Sequence, residues 1–353
     1  MAGLLERLLS IVNRLPAGVF AFVMATGIVS TAMNLIGQGF ISDLLLILAV
    51  TGLVVLSIAL FVKLLRFPRL VIKDFADPDS TFGFFTLVAA LNVVGVRTYS
   101  ISPMLTLILG TISLPIWLIL NYGIAASLFL GKHDHPVSSK FDGSWFLWVV
   151  GTQSLATASA AVAQESHLNV LASIAVAFWG IGVILYITLA SLIVLHLFRM
   201  KSEPSRIGPS YWIFMGATAI TVLAGSRILV LPKGVPILEE SESFISGLTL
   251  TLWAFGLWWV PMLLIFGVWR HGINRWPTSF EGGFWSIVFP LGMFAVASMH
   301  FGLEIHLPIV VLLGEVFAIV SVMVWLLVVV LLIGNVFNVP RRPRRRQIFH
   351  GST

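Results

Sequence analysis

Residues 41–65 read ISDLLLILAVTGLVVLSIALFVKLL and decide the fold class. Between Asp43 and Lys63 the chain carries no charged residue, and a run of about 20 apolar residues is what a helix needs to cross the hydrocarbon core of a bilayer. Similar runs recur along the whole chain, in which only 10% of the 353 residues are charged, whereas soluble domains carry roughly 25%. The sequence therefore predicts an all-α integral membrane protein.

The apolar runs predict ten transmembrane helices, because segments rich in glycine, proline or charge interrupt them nine times. We place these helices at residues 15–36, 41–65, 81–98, 102–130, 143–163, 169–198, 209–230, 240–269, 282–299 and 306–335. They form one transport domain of residues 15–335. An N-terminal segment of residues 1–14 precedes it, and a basic tail of residues 336–353 follows it.

The basic residues predict the orientation of the chain. Of the 21 Lys and Arg residues, 18 fall on one side when alternate gaps are grouped, and Arg97, Arg227 and Lys233 fall on the other. Cytoplasmic loops carry such an excess of Lys and Arg. We therefore expect a multi-pass protein of the cell membrane with both termini in the cytoplasm. The charge serves topology and contact with acidic lipids, so we expect no nucleic-acid partner.

The odd-numbered helices are richer in small and mildly polar residues than the even-numbered ones. The fifth helix, GSWFLWVVGTQSLATASAAVA at residues 143–163, is the extreme case. Such residues suit either close packing at the centre of a bundle or a wet path. We favour the path, because the bias repeats in all five helical hairpins. The sequence then predicts an inner ring of five odd helices around a pore, surrounded by the even helices.

Uncharged hydrogen-bonding groups lie near the middle of the odd helices. Thr26, Gln153 and Thr218 are halfway along, and Asn92 is somewhat further out. A ring of hydroxyl and amide groups could replace the water shell of an anion without trapping it. The alternative is that these side chains hydrogen-bond neighbouring helices or their own backbone.

Phe289 precedes Pro290 in the ninth helix. Proline in a helix interior frees a backbone carbonyl and bends the helix, and an aromatic ring beside such a bend can close a narrow pore. We predict that Phe289 and Pro290 form the pore gate, although the ring could instead pack in the core.

Three charged residues are candidates for binding or coupling. Arg97 and Arg227 end the third and seventh helices on the predicted outer side, and the planar fork of arginine matches a carboxylate. Snorkelling to the interface is their alternative role. Glu315 lies about two turns inside the tenth helix, where it could carry a proton or pair with an arginine.

Motifs for enzymatic chemistry are missing from the sequence. It contains no cysteine, and it has no HExxH, GxSxG or P-loop pattern. The histidines suggest no metal site. We therefore expect neither enzymatic activity nor a metal or other cofactor.

Four segments in order resemble the tellurite-resistance/dicarboxylate transporter family, which includes plant slow anion channels, yeast malate permease and fungal sulfite efflux pumps. They are LPAGVFAFVMATGIVS (15–30), DPDSTFGFFTLVAALNVVG (77–95), GTQSLA (151–156) and FWSIVFPLGMFAVA (284–297). The resemblance implies five hairpins around a pore, a homotrimer with one pore per subunit, and occlusion by the phenylalanine that Phe289 matches. The pattern is closer to that of the dicarboxylate-type members than to that of the plant channels.

The sequence leaves three functional hypotheses. The first is transport of C4-dicarboxylates such as malate through a Phe-gated pore. The second is a channel or exporter for small inorganic anions such as chloride, nitrate, sulfite or tellurite. The third is a membrane sensor or scaffold that transports nothing.

Overall fold

The computed structural model describes residues 2–132, 136–166, 168–201, 203–232, 236–277 and 281–337. These residues form helices joined by short turns and contain no strand. Twelve α-helices follow one another in this part of the chain: α1 Ala2–Asn13, α2 Ala21–Leu35, α3 Gly39–Arg66, α4 Pro68–Ala76, α5 Phe85–Thr98, α6 Pro103–Leu130, α7 Leu147–Ser166, α8 Asn169–Arg199, α9 Ile213–Leu229, α10 Pro236–Gly267, α11 Trp285–Glu304 and α12 Pro308–Phe337.

The all-α membrane fold is confirmed, while the number of ten spans stays a prediction. Within the described ranges, nine helical segments are long and apolar enough to cross a bilayer. The tenth candidate, α2, has 15 residues. At about 1.5 Å per residue it is shorter than the hydrocarbon core. The turn at residues 17–20 lengthens it at its start, where the amide of Val19 donates to the carbonyl of Pro16.

Two short helices, α1 and α4, lie in segments where no helix was predicted. Both are amphipathic, so their apolar residues are too scattered to resemble a span. Pro68 starts α4 at a position where proline costs no hydrogen bond. The Lys63 ammonium reaches Asp74 of α4 at 2.8 Å and also donates to the carbonyl of Leu15, so α4 is tied to the end of α3.

The odd-numbered members of the five hairpins form the predicted inner ring. Helix α2 packs on α5, α5 on α7, α7 on α9, α9 on α11, and α11 on α2 again. The spans that contain α5, α7, α9 and α11 are 83–89% buried, whereas the other five are 17–28% buried. The Leu/Ile/Val-rich helices α3, α6, α8, α10 and α12 therefore lie outside the ring.

Polar side chains fasten each outer helix to the inner helix of the next hairpin. Four tryptophans donate their indole N–H in this way: Trp117 to Thr152, Trp179 to the carbonyl of Thr221, Trp253 to Ser298, and Trp325 to Thr26, all at 2.9–3.1 Å. At the remaining junction, between the first and second hairpins, Ser42 of α3 accepts from Arg97 of α5 at 2.8 Å. These bonds hold the ring closed on all five sides.

Four of the inner helices begin with a 3₁₀ turn: Thr81–Phe84, Gly143–Phe146, Pro209–Trp212 and Gly282–Phe284. These turns pack against one another at one end of the bundle. We call it the basic end, because most of the basic residues lie there, and we call the opposite end the far end.

Close backbone contact joins two of these turns. A Cβ atom on Gly143 would collide with the carbonyl group of Ser210, so only glycine fits at this position. The carboxylate of Asp142 accepts from the amide of Ser144 at 3.0 Å and from the hydroxyl of Ser210 at 2.9 Å. Burial raises the pKa of Asp142 above its ordinary value, although these hydrogen bonds oppose the shift.

Candidate functional site

A narrow cavity lies at the centre of the ring and is lined by all five inner helices. The space between its walls measures about 360 Å³ including parts open to solvent, and the cavity proper is only about 20 Å³. That is room for about one water. Its lining residues are Ile28, Thr31, Asn92, Val93, Val96, Ser154, Thr157, Ile220, Leu223, Arg227, Met293 and Val296. The ring therefore encloses a constricted lane with few polar groups.

Asn92 is the polar residue best placed to contact a solute in the cavity. Its amide nitrogen donates to the hydroxyl of Ser154 at 3.0 Å, and its amide oxygen accepts from Ser113 of α6 at 3.0 Å. Because an amide NH₂ group has two donors, the second N–H is left for a solute. Two partners on two helices fix the position of this group.

The other polar lining groups are hydroxyls that bond to their own helices. Thr31 donates to the carbonyl of Gly27 at 3.1 Å, Ser154 to that of Gly151 at 2.7 Å, and Thr157 to that of Gln153 at 2.9 Å. A hydroxyl can rotate, so each can give up its intrahelical bond and donate to an anion. The cavity therefore offers donors that an anion can use without being held tightly.

Arg227 brings positive charge to the far end of the cavity. It is half-buried and lines the cavity from α9, and its Nε atom is buried without a hydrogen-bond partner. Among the described lining residues it is the sole charged one. A buried guanidinium nitrogen without an acceptor is costly for stability alone. It would attract an anion and repel a cation, and the prediction that Arg227 binds anions at this side stays open.

Phe289 is fully buried on the face of α11 that is turned to the ring axis. Met293 and Val296, four and seven residues further on, share this face and line the cavity. On either side of it, Pro290 packs against Gly216 of α9 and Gly292 packs against α2. Phe289 therefore lies about 6 Å, four residues of helix, from Met293 toward the basic end. This position suits an occluding ring, and gating by Phe289 stays a prediction.

The structure turns three of the four predicted lining residues away from the cavity. Thr26 accepts from Trp325 of α12, and the amide of Gln153 donates to the carbonyl of Trp179 on α8 at 3.1 Å. Thr218 faces Gly256 of α10, where a Cβ atom would lie 2.6 Å from the threonine hydroxyl. These three residues do not line the central cavity, because each of them faces an outer helix, and their pore-lining role stays a prediction. Asn92 alone lies at the cavity.

Arg97 is also engaged elsewhere. It is buried between α2, α3 and α5, where it donates to the hydroxyls of Ser30 at 3.1 Å and Ser42 at 2.8 Å, and it lies 3.4 Å from the carboxylate of Asp43. It does not line the cavity. Its donors are used in holding α5 to the first hairpin, so the structure does not bring the two predicted arginines together.

Glu315 lies on the outer surface of α12, exposed together with Leu312, Val316 and Ile319. It makes no ion pair with any part of the chain that the structure describes. It is therefore remote from the central cavity, and pairing with an arginine is not observed.

Three lining hydroxyls were missed in the sequence: Thr31, Ser154 and Thr157. Ser154 and Thr157 are three residues apart and share a helical face, but Gln153, four residues before Thr157, lies at the edge of the same face. This spacing alone could not identify the lining residues. An inner helix is buried on all sides, so its sequence does not show which side faces the axis of the ring. Lys233 and residues 338–353 of the basic tail lie outside the described residues.

Comparison with known proteins places this arrangement in a family. The model of a family described as voltage-dependent anion channel, SLAC1, matches residues 14–333. An uncharacterized transporter of Methanocaldococcus jannaschii is 22% identical over 306 residues, which are 81% of this chain and 85% of the relative. An uncharacterized membrane protein of Mycobacterium tuberculosis is 40% identical over 141 residues, 40% of this chain and 71% of the relative.

A third relative carries a substrate in its name. A sulfite efflux pump of Trichophyton rubrum is 25% identical over 214 residues, which are 57% of this chain and 55% of the pump. The family match spans all five hairpins and every residue that lines the cavity. The chain therefore belongs to the voltage-dependent anion channel family, SLAC1, and is a membrane protein of anion transport.

Proposed function

We propose that the chain conducts small inorganic anions of the sulfite, nitrate and chloride class through the central cavity, with Phe289 as the gate. The observation that carries this proposal is Arg227 at the edge of a cavity that all five inner helices line and to which no described carboxylate contributes. A single arginine and a cavity with room for about one water molecule suit a small anion. The name of the Trichophyton rubrum relative is consistent with this class.

A second candidate is a C4-dicarboxylate such as malate. The cavity extends along α9 from Ile220 to Arg227, about 10 Å of helix, so one carboxylate could bind Arg227 while the other contacts Asn92. The engagement of Arg97 by Ser30 and Ser42 weighs against this candidate, because a dianion then meets only one arginine.

Flux into proteoliposomes across a panel of sulfite, nitrate, chloride, malate and succinate tests the substrate class. The proposal expects the three inorganic anions to cross at least as fast as the two organic acids. Faster malate and succinate flux would favour the second candidate. Absence of flux for every anion would favour a sensor or scaffold and overturn both.

Phe289→Ala tests the gate, and the same helix offers a matched control. Phe289 faces the axis, whereas Phe294 packs against Phe317 of α12 with ring centroids 4.8 Å apart. Both rings are fully buried, so the two alanine variants remove equal volumes on opposite sides of α11. We expect Phe289→Ala to raise anion flux and Phe294→Ala only to lower thermal stability. Equal flux in the two variants would refute the gate.

The assembly and orientation of the chain stay predictions. The natural sequence has no cysteine, so a single introduced cysteine reports on one position. We expect a cysteine at Arg7 to be labelled only from the cytoplasmic side. Light scattering of the detergent-solubilised protein measures whether it is the homotrimer that the family resemblance implies.

A further inference from the structure

A second buried arginine lies outside the central cavity, at the basic end of the bundle. Arg270 belongs to a π-helical turn, Val268–Ile273, that follows α10. Its residue is 5% exposed. The Nη2 atom donates to both carboxylate oxygens of Glu281, at 3.0 and 3.2 Å, and the guanidinium lies 5.4 Å from the centroid of the Trp276 ring.

Two of the three guanidinium nitrogens of Arg270 have no partner. Both Nε and Nη1 are buried without a hydrogen bond to the described residues. One carboxylate therefore satisfies only one nitrogen and leaves three N–H donors of a buried cation unused. Leaving buried donors of a charged group unpaired costs folding free energy. An additional hydrogen-bond acceptor beside Arg270 would remove this cost.

The space beside Arg270 is a largely apolar pocket. Its space measures about 370 Å³ including parts open to solvent, and its apolar walls include Trp212, Leu263, Phe266, Phe284 and Ile287. The pocket lies between the starts of α9 and α11 and the end of α10. A free ion would gain nothing from these aromatic and aliphatic walls, whereas an anion with an apolar body would contact them.

The pocket adjoins a surface that suits hydrocarbon. On α10 and the turn after it, Leu264 and Val268 flank the pocket-lining Gly267 and are 55% and 64% exposed. An acyl chain could therefore run along α10 while its anionic group reaches Arg270. Basic residues concentrate at this end, and they attract acidic lipids.

We propose that this pocket binds an acidic phospholipid of the adjacent leaflet, whose phosphate accepts hydrogen bonds from Nε and Nη1 of Arg270. The site is separate from the central cavity, and its occupancy does not depend on which anion the cavity conducts. Lipid binding here would brace the end of α10 against the turns that start α9 and α11.

Native mass spectrometry of the purified protein tests this proposal. The protein in neutral detergent is incubated with phosphatidylglycerol or phosphatidylcholine, and the bound lipid is counted. We expect selective retention of phosphatidylglycerol, with about a tenfold loss of affinity in Arg270→Gln, since a charge-assisted hydrogen bond supplies at least that factor. Arg199→Gln removes an exposed charge at the same end and should retain the lipid.

Because Arg270→Gln could impair folding, a second variant blocks the pocket without touching the arginine. Gly208 has φ of −99°, which any residue adopts, and a Cβ atom there would lie 3.6 Å from Nη1. Gly208→Val therefore fits the backbone and fills the space before the guanidinium. We expect it to abolish lipid retention while the melting temperature in lipid-free detergent stays near that of the natural chain.

Three outcomes would overturn the proposal. The first is equal retention of the two lipids, and the second is full retention in both Arg270→Gln and Gly208→Val. The third is displacement of phosphatidylglycerol by millimolar inorganic phosphate, which would assign the pocket to a soluble anion. Anion flux through the central cavity is measured separately, so failure of either proposal leaves the other standing.

Discussion

Neutralising Arg227 should weaken anion binding by roughly a hundredfold. The cavity extends along about 10 Å of α9 to Arg227, so an anion halfway along it lies roughly 5 Å from the guanidinium. At an effective dielectric constant of about 20, two unit charges at that distance attract by about 3 kcal/mol, and each 1.4 kcal/mol is a factor of about ten in affinity. Arg227→Gln removes this attraction and leaves a polar side chain of similar reach.

The assay is initial anion flux into proteoliposomes as a function of external anion concentration. We expect Arg227→Gln to raise the half-saturating concentration steeply and Arg227→Lys to restore much of the loss. The matched control is Arg97→Gln, because Arg97 is held by Ser30 and Ser42 outside the cavity. It should lower thermal stability without changing the half-saturating concentration of the folded fraction. If Arg227→Gln leaves that concentration unchanged, the electrostatic role of Arg227 is refuted.

Three further substitutions test the frame around the cavity. Thr26→Val leaves the Trp325 indole without an acceptor, so we expect thermal unfolding to show a loss of about 1–3 kcal/mol in unfolding free energy. Anion selectivity, measured by flux, should stay unchanged. Altered selectivity would instead indicate that Thr26 lines the pore. Gly216→Ala puts a Cβ atom 2.8 Å from the Cγ atom of Pro290. This overpacking should lower the unfolding free energy by about 1–3 kcal/mol in the same assay. An unchanged stability would mean that α9 and α11 can move apart to accommodate the extra methyl group. Asp142→Asn tests the half-buried carboxyl of Asp142, whose raised pKa means that the folded state binds its proton more tightly than the unfolded state. Its contribution to stability is therefore fully present below the unfolded pKa and is lost as pH rises through the folded pKa, so melting temperatures across the acidic range should fall less with rising pH in Asp142→Asn than in the natural chain.

The pattern of apolar and small residues along the sequence was sufficient to predict the all-α membrane architecture of this protein. An uninterrupted apolar run such as residues 41–65 has one stable solution in a bilayer, which is a helix with all its backbone hydrogen bonds internal. The contrast between that run and residues 143–163 separated the outer helices from the inner ones, because side chains that face lipid and side chains that pack closely differ in kind. Amphipathic α4 was not predicted, since its nine residues carry no continuous apolar run.

The site was harder to predict than the fold. Whether a side chain reaches the cavity depends on how each inner helix is rotated about its own axis, and not only on how deep in the membrane the residue lies. Thr26 and Asn92 were both expected at the axis, yet only Asn92 lies there. An outer helix lies behind every inner helix, so a hydroxyl at the right depth has a partner on either side. Nothing in the sequence indicates that the indole of Trp325, 299 positions away, donates its hydrogen bond to Thr26.

The tryptophan bonds between neighbouring hairpins have a consequence for how such proteins diversify. They bond the sides of the inner helices that face the outer helices, while the residues that line the central cavity project toward the axis of the ring. Substitutions of these lining residues can accordingly retune which solutes pass without loosening the wall that supports them. The same helical scaffold could in this way serve a range of solutes. The residues that line the central cavity could be redesigned while the tryptophan hydrogen bonds between the hairpins are left unchanged.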